Sequence, residues 1–183
     1  LTGFKWIARV PDIMFGYEEA LGYCVDPNGV RDKDGITAAL MIAEMAARLK
    51  DKGRTPLDIL DELALRHGAY ATGQVSIRVD ELSRIPAVME RLRSAAPGSA
   101  GGVAVAAIDD LEQGSPSLPP TDGLRLTMAD ASRIIVRPSG TEPKVKCYLQ
   151  AIVDVADGEL EAARTEARRR LEAMSADVRR WLE

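Results

Sequence analysis

Apolar and polar positions along this chain change period twice, and each change marks a different kind of element. From residue 34 to residue 50, Ile36, Leu40, Ala43 and Ala47 recur at helical spacing with Met41 and Met45 beside them, and Gly53 supplies a C-terminal stop. Thr55-Pro56-Leu57-Asp58 reads as an N-cap, a proline at the first helical position and a carboxylate in the first turn. This predicts a second helix running to Arg66 and ending near Gly68. The apolar run Leu1 to Val10 reads instead as loop followed by strand, with Lys5 and Trp6 in that strand and its core. Beyond residue 74 the period shortens. Val75 to Val79 alternates, and Asp80 or Ser83 can cap a helix with Ile85, Val88, Met89 and Leu92 on one face. Val103 to Ile108 predicts a buried strand, Asp110 to Gly123 a loop, and Leu124 to Met128 a further strand. Ser132 to Val136 and Val145 to Val155 predict a hairpin, with Val145, Cys147, Leu149, Ala151 and Val153 on one face. The last helix is the clearest: Leu160, Ala163, Ala167, Leu171, Met174, Val178 and Trp181 are spaced by three or four.

These patterns divide the chain in two. Residues 1–67 read as the closing portion of an α/β domain whose earlier strands are absent, and 68–73 as a linker. Residues 74–183 read as an α+β domain, a mostly antiparallel sheet packed against helices.

Composition narrows the partners. The chain has 183 residues, 46% of them apolar, with a net charge of −4. That balance gives no electrostatic case for nucleic acid or membrane binding, though a local anion site remains compatible with it. No apolar run is long enough to span a bilayer, and the N-terminus lacks the pattern of a secretory signal. Cys24 and Cys147 are far apart and lack metal-type spacing, which predicts free buried thiols and fits a reducing, cytoplasmic setting.

Candidate chemistry lies at three places. Arg137-Pro138-Ser139-Gly140-Thr141-Glu142-Pro143-Lys144 sits at the tip of the predicted hairpin. It offers a planar guanidinium, two hydroxyls and exposed amides around Gly140, the donors an anion wants, although a tight turn uses the same residues for conformational reasons. Lys144 can add charge there, while Lys146 reads as a solvated strand residue. Glu18 and Glu19 lie in a loop flanked by Gly16 and Gly22, where a carboxylate can accept from vicinal sugar hydroxyls or simply face water. Lys33 stands just before the first long helix, an ammonium suited to a group that is held and then released. The same stretch fails as a calcium loop: counted from Asp32, the sixth position is Thr37 and the twelfth Ala43. His67 reads as a helix-end residue, and Arg164, Arg168, Arg169 and Arg170, interleaved with Glu161, Glu166 and Glu172, as a salt-bridged solvent face.

Residues 137–144 resemble the phosphate-binding loop in the last domain of the α-D-phosphohexomutases, which include phosphoglucomutases and phosphomannomutases. Two further stretches resemble the third domain of that family, in the right order: Leu1-Thr2-Gly3-Phe4-Lys5-Trp6, and Gly16-Tyr17-Glu18-Glu19-Ala20-Leu21-Gly22-Tyr23 followed by Arg31-Asp32-Lys33-Asp34-Gly35. The resemblance implies domain 3 over 1–67 and domain 4 over 74–183. It implies sugar contacts from Thr2, Gly3, Glu18, Glu19 and Lys33, and a phosphate clamp from Arg137, Ser139, Gly140, Thr141 and Lys144. Ala20 departs from the serine usual in phosphoglucomutases, which brings the phosphopentomutase branch into view. The family's phosphoserine and its Asp-Gly-Asp-Gly-Asp metal loop do not occur in this sequence. The chain therefore reads as a C-terminal piece, inactive alone, whose catalytic serine and Mg²⁺ belong to upstream domains of the same enzyme. The reaction implied moves phosphate between the 1 and 6 positions of a hexose through a phosphoserine and a bisphosphate. A phosphopentomutase and a non-catalytic sugar-phosphate-binding module are the alternatives.

Overall fold

A computed structural model describes residues 3–19, 21–114, 119–140 and 142–182. Its contacts gather residues 1–60 and 61–183 into two units.

In the first unit, the apolar start is helical rather than extended. Residues Phe4–Ile7 form α1, a single turn in which the Ala8 amide donates to the Phe4 carbonyl (2.8 Å). Phe4 and Ile7, three apart, both lie against Gly16, and a Cβ there would stand 2.8 Å from Ile7 Cγ2 and 3.1 Å from Phe4 Cζ. The run has helical spacing at the two positions that pack, and that contact outweighs the strand propensity of its aromatic and β-branched members. Lys5 and Trp6 accordingly sit on a helix, Lys5 exposed. Gly16–Glu18 (β1) and Gly22–Cys24 (β2) form an antiparallel hairpin, with Tyr17 directly opposite Tyr23 and their rings 5.5 Å apart.

The helix Gly35–Lys50 (α2) starts where its sequence says it should. Asp34 is extended and accepts from the Ile36 amide (3.0 Å), the Thr37 amide (3.3 Å) and the Thr37 hydroxyl (2.7 Å). Those bonds, the Thr37 hydroxyl first, hold its carboxyl below the usual range. Gly53, at φ +67, reverses the chain after α2. Pro56–His67 (α3) opens on a reciprocal box: the Thr55 amide donates to Asp58 (2.6 Å), and the Asp58 amide to the Thr55 hydroxyl (3.4 Å). The division between units falls within this helix.

The second unit is a six-stranded antiparallel sheet. Its strands are Ala69–Arg78 (β3), Ser99–Ala100 (β4), Val103–Asp110 (β5), Leu124–Met128 (β6), Arg133–Pro138 (β7) and Lys144–Val153 (β8). Their spatial order is β3-β8-β7-β6-β5-β4. The stretch 68–73, expected as a linker, is mostly strand: Ala69 to Gly73 pair with Val153 to Leu149. Its Gly and Ala content signalled a break, but Ala69 is buried against Ala163 and Ala167, where small side chains let a helix come close. Arg84–Ser94 (α4) and Leu160–Leu182 (α5) cover one face of the sheet. Val88, Met89 and Leu92 of α4 and Met174, Val178 and Leu182 of α5 join Val75, Ile134, Val136, Val145, Cys147 and Leu149 in one core. Ser83 precedes α4 without capping it; its hydroxyl donates to Glu81 instead.

Strand β5 is not the buried element its apolar run suggested. Ala104, Ala106, Ala107 and Ile108 are exposed, and the register shifts between Val105 and Ala107. Only Val103 and Val105 pack against the core; beyond the bulge the apolar side chains of the strand are left uncovered. On the polar side of α5, Arg169 and Arg170 share Glu166 (2.7 and 2.9 Å), and Arg170 also reaches Asp130 (3.0 Å). The expected salt-bridged face is present, and it also ties the helix to the β6–β7 turn.

Candidate functional site

The hairpin tip is built by β7 and β8. Ile134 and Val136 point into the core, so strand alternation puts Arg137 on the face opposite α4 and α5. By the same rule Val145 and Cys147 are buried while Lys144 and Lys146 share the face of Arg137. Register then sets the neighbours. Arg137 lies directly across from Lys146, which on its other side lies across from Ser76; Arg78 lies across from Lys144. Four cations thus collect at one end of one sheet face in a chain that is acidic overall.

One carboxylate reports on this field. Glu142 receives a bond from Lys144 Nζ at 2.7 Å. That bond, with the charges of Lys144, Lys146 and Arg78 behind it, holds its carboxyl below the usual carboxylate range. Lys144 is therefore already partnered, and its charge reaches the loop partly neutralised. Arg137 makes no ion pair or hydrogen bond among the described residues, so its five donors are available to an anion. The loop is braced from below: the Ser139 amide donates to the Lys144 carbonyl (2.8 Å), and the Val79 amide to the Pro143 carbonyl (2.9 Å). Gly140 is exposed, with nothing within 4 Å of where a Cβ would be. Thr141 lies outside the described residues.

In the first unit, Glu18 ends β1, half-buried, opposite Gly22, and Glu19 begins the turn. A Cβ at Gly22 would stand 2.5 Å from Glu18 Cγ and 2.8 Å from Lys33 Cδ. The missing side chain is what lets the side chains of Glu18 and Lys33 both lie over one backbone position. Lys33 Nζ lies 5.1 Å from the centre of the Phe4 ring and 3.4 Å from Asp32. Arg31 donates to the carbonyls of Ala8 (2.8 Å) and Val10 (2.9 Å), tying the segment after α1 to the loop that carries Lys33. Gly3 sits at φ +102 before α1, exposed; Thr2 lies outside the described residues. Glu18, Lys33 and Gly3, distant in sequence, are therefore brought to one hairpin and its neighbouring turn.

Sequence reasoning set Lys146 aside as a solvated strand residue and did not single out Arg78. Counting alternate residues from Val145 would have found Lys146, since it shares the parity of Lys144. Arg78 becomes visible only through the β3–β8 ladder, which no local pattern reveals. Cys24 and Cys147 are free and buried, and burial pushes the Cys147 thiol up to about 12, so it is inert as a nucleophile. Among the described residues, no group of three or more His, Cys, Asp or Glu side chains could hold a metal, and no helix is long and apolar enough to cross a membrane.

Residues 75–168 match the model of the phosphoglucomutase/phosphomannomutase C-terminal domain, and residues 1–66 match that of the family's alpha/beta/alpha domain III. A probable phosphomannomutase of Haemophilus influenzae is 48% identical over 152 residues, covering 82% of this chain and 30% of that protein. A phosphoglucomutase of Staphylococcus haemolyticus is 35% identical over 176 residues, covering 84% and 32%. The chain thus spans under a third of the length of these relatives. The crystal structure of the exocytosis-sensitive phosphoprotein pp63/parafusin, a phosphoglucomutase from Paramecium in its open form, superposes with a TM-score of 0.66. That match has 23% identity and covers 98% of this chain and 33% of the other, a likeness of fold.

Proposed function

Because this chain belongs to the phosphoglucomutase/phosphomannomutase family, we propose that it supplies the sugar- and phosphate-binding C-terminal part of a phosphosugar mutase. The reaction is transfer between the 1 and 6 positions of a hexose. A phosphoserine outside this chain gives its phosphoryl group to the free hydroxyl of a hexose monophosphate, and the resulting bisphosphate returns its other phosphoryl group to the serine. The described residues offer no seat for the Mg²⁺ that the family resemblance implies, so no step here runs through it. The free thiols suit a cytoplasmic enzyme.

This chain's own residues bind and orient. Arg137 is assigned the planar, bidentate contact to the phosphate that is not reacting, with the amide of Gly140 and the hydroxyls of Ser139 and Thr141 filling the remaining acceptor positions. Lys146 and Lys144 add charge. Glu18 and Glu19 accept from sugar hydroxyls, Lys33 offers a releasable cation, and Thr2 and Gly3 contact the sugar. A fixed anion clamp converts binding energy into orientation, which is the main contribution phosphoryl transfer asks of a protein.

The observation that carries this reading is the guanidinium of Arg137, unpartnered among the described residues and directly opposite Lys146 at the edge of a glycine-containing loop. Titrating the chain with glucose 1-phosphate, followed by ¹⁵N NMR, tests it. Shifts are expected at the Gly140 amide and the Arg137 side chain. Arg137→Ala is expected to weaken binding by about 2 kcal/mol, on the order of 30-fold. A change below twofold would refute the clamp.

A further inference from the structure

Arg93 lies on α4, outside every stretch that resembles a substrate loop, yet it stands within ion-pair distance of three carboxylates. Its Nε donates to Asp110 (3.1 Å) and its Nη2 to Asp122 (2.6 Å), and Glu112 lies within ion-pair distance of Nη2 (3.2 Å). The side chain is only 18% exposed. Asp110 and Asp122 stand at the two ends of the loop between β5 and β6, so one guanidinium staples the loop's base. The backbone closes the same base, with the Leu111 amide donating to the Gly123 carbonyl (2.9 Å) and the Thr121 amide to the Leu111 carbonyl (3.0 Å).

The staple ends on Gly123, and Gly123 leads to Arg137. A Cβ at Gly123 would stand 3.2 Å from the Val136 carbonyl and 3.5 Å from Arg137 Cβ. The first of those neighbours is backbone and cannot swing aside, so Gly123 leaves little room for a side chain where the loop base passes the root of Arg137.

We propose that Arg93 is a positioning residue for Arg137: by gathering Asp110, Glu112 and Asp122 it holds Gly123 against β7 and sets the aim of the phosphate-binding guanidinium. The inference rests on the reading of Arg137 as a phosphate ligand. It assigns a role in binding to a residue that itself touches no substrate, and to the glycine through which it acts.

The test uses the full chain, inorganic phosphate as probe, and three readouts: phosphate Kd, thermal midpoint, and the ¹⁵N resonance of Arg137 Nε. Arg93→Met and Gly123→Ala are each expected to raise the Kd on the order of tenfold and to move the Arg137 resonance, because a small misplacement of a binding group is costly. Arg93→Lys keeps the charge but not the fork, and is expected to recover part of the affinity. A staple that served stability alone would lower the thermal midpoint while leaving Kd and resonance in place; that result overturns the proposal. Should Arg93→Met fail to fold, Gly123→Ala and Asp122→Asn decide on the same criteria. Arg137→Ala separates the two levels. If it leaves the phosphate Kd unchanged, the clamp reading falls; if it abolishes binding while the Arg93 and Gly123 variants stay within twofold of wild type, only the positioning role falls.

Discussion

Gly22→Ala is the perturbation that most cleanly separates the proposed sugar-reading residues from the proposed phosphate clamp. The added methyl would meet Glu18 Cγ at 2.5 Å and Lys33 Cδ at 2.8 Å, both inside the 3.4 Å at which ordinary contact begins. Neither obstacle is backbone, and Gly22 is free of the positive φ that would make any side chain strained. Holding both arms off-rotamer would cost about 0.5–1.5 kcal/mol each. Both side chains have solvent to swing into, so folding stability is expected to fall by less than about 1 kcal/mol. The cost appears in binding instead. With Glu18 and Lys33 pushed apart, one charged hydrogen bond to the sugar is lost, about 1.5 kcal/mol or on the order of tenfold in Kd for glucose 1-phosphate. Inorganic phosphate, which needs only the hairpin of the second unit, is expected to bind as before. Calorimetric titration of both ligands against both chains measures the contrast. Equal loss for the two ligands, or none for glucose 1-phosphate, would refute the pairing of Glu18 and Lys33 as a sugar-reading unit.

Two stability expectations follow from other contacts. Ser132 is 1% exposed and its hydroxyl accepts from the Ile152 amide at 3.1 Å; Ser132→Ala leaves that N–H unpaired and is expected to cost about 1–3 kcal/mol in denaturant unfolding, with a loss under about 0.5 kcal/mol counting against it. Glu166, bound by Arg169 and then Arg170, has its carboxyl pulled down to about 2. A depressed carboxyl stabilises the folded state above its unfolded value, 4.5, and that contribution disappears as pH falls toward 2. The thermal midpoints of wild type and Glu166→Gln should therefore differ at pH 7 and converge near pH 2; a gap that is independent of pH contradicts the assignment.

Much of the fold was readable because its elements announce themselves locally. The apolar spacing over 34–50 and Gly53 mark out α2, the box of Thr55 and Asp58 opens α3, and the three-and-four spacing of α5 names Ala163, Ala167, Met174 and Val178 as its packed side. What misled was locally ambiguous and decided by partners. The turn at Phe4 exists because Gly16 lies beneath it, residues 69–73 extend because β8 is there to pair with them, and β5 loses its burial beyond a bulge. The candidate site divides in the same way. Residues 137–144 carry their chemistry in their own order, whereas Lys146 and Arg78 join them through register, and Arg93 through a chain of contacts across α4, the β5–β6 loop and β7.

The longest ladder in the sheet joins its first strand to its last. All ten residues of β3 pair with β8, and α4, β4, β5, β6 and β7 must all emerge between the two during synthesis. A nascent chain therefore holds Val75 and its apolar neighbours without their mate until nearly the whole domain has left the ribosome. Such non-local closure slows folding and prolongs the interval in which an open edge can pair with the wrong chain. Refolding of this domain should accordingly be the slow and concentration-sensitive stage of making the protein, and a polypeptide truncated before residue 144 should aggregate rather than idle half-folded.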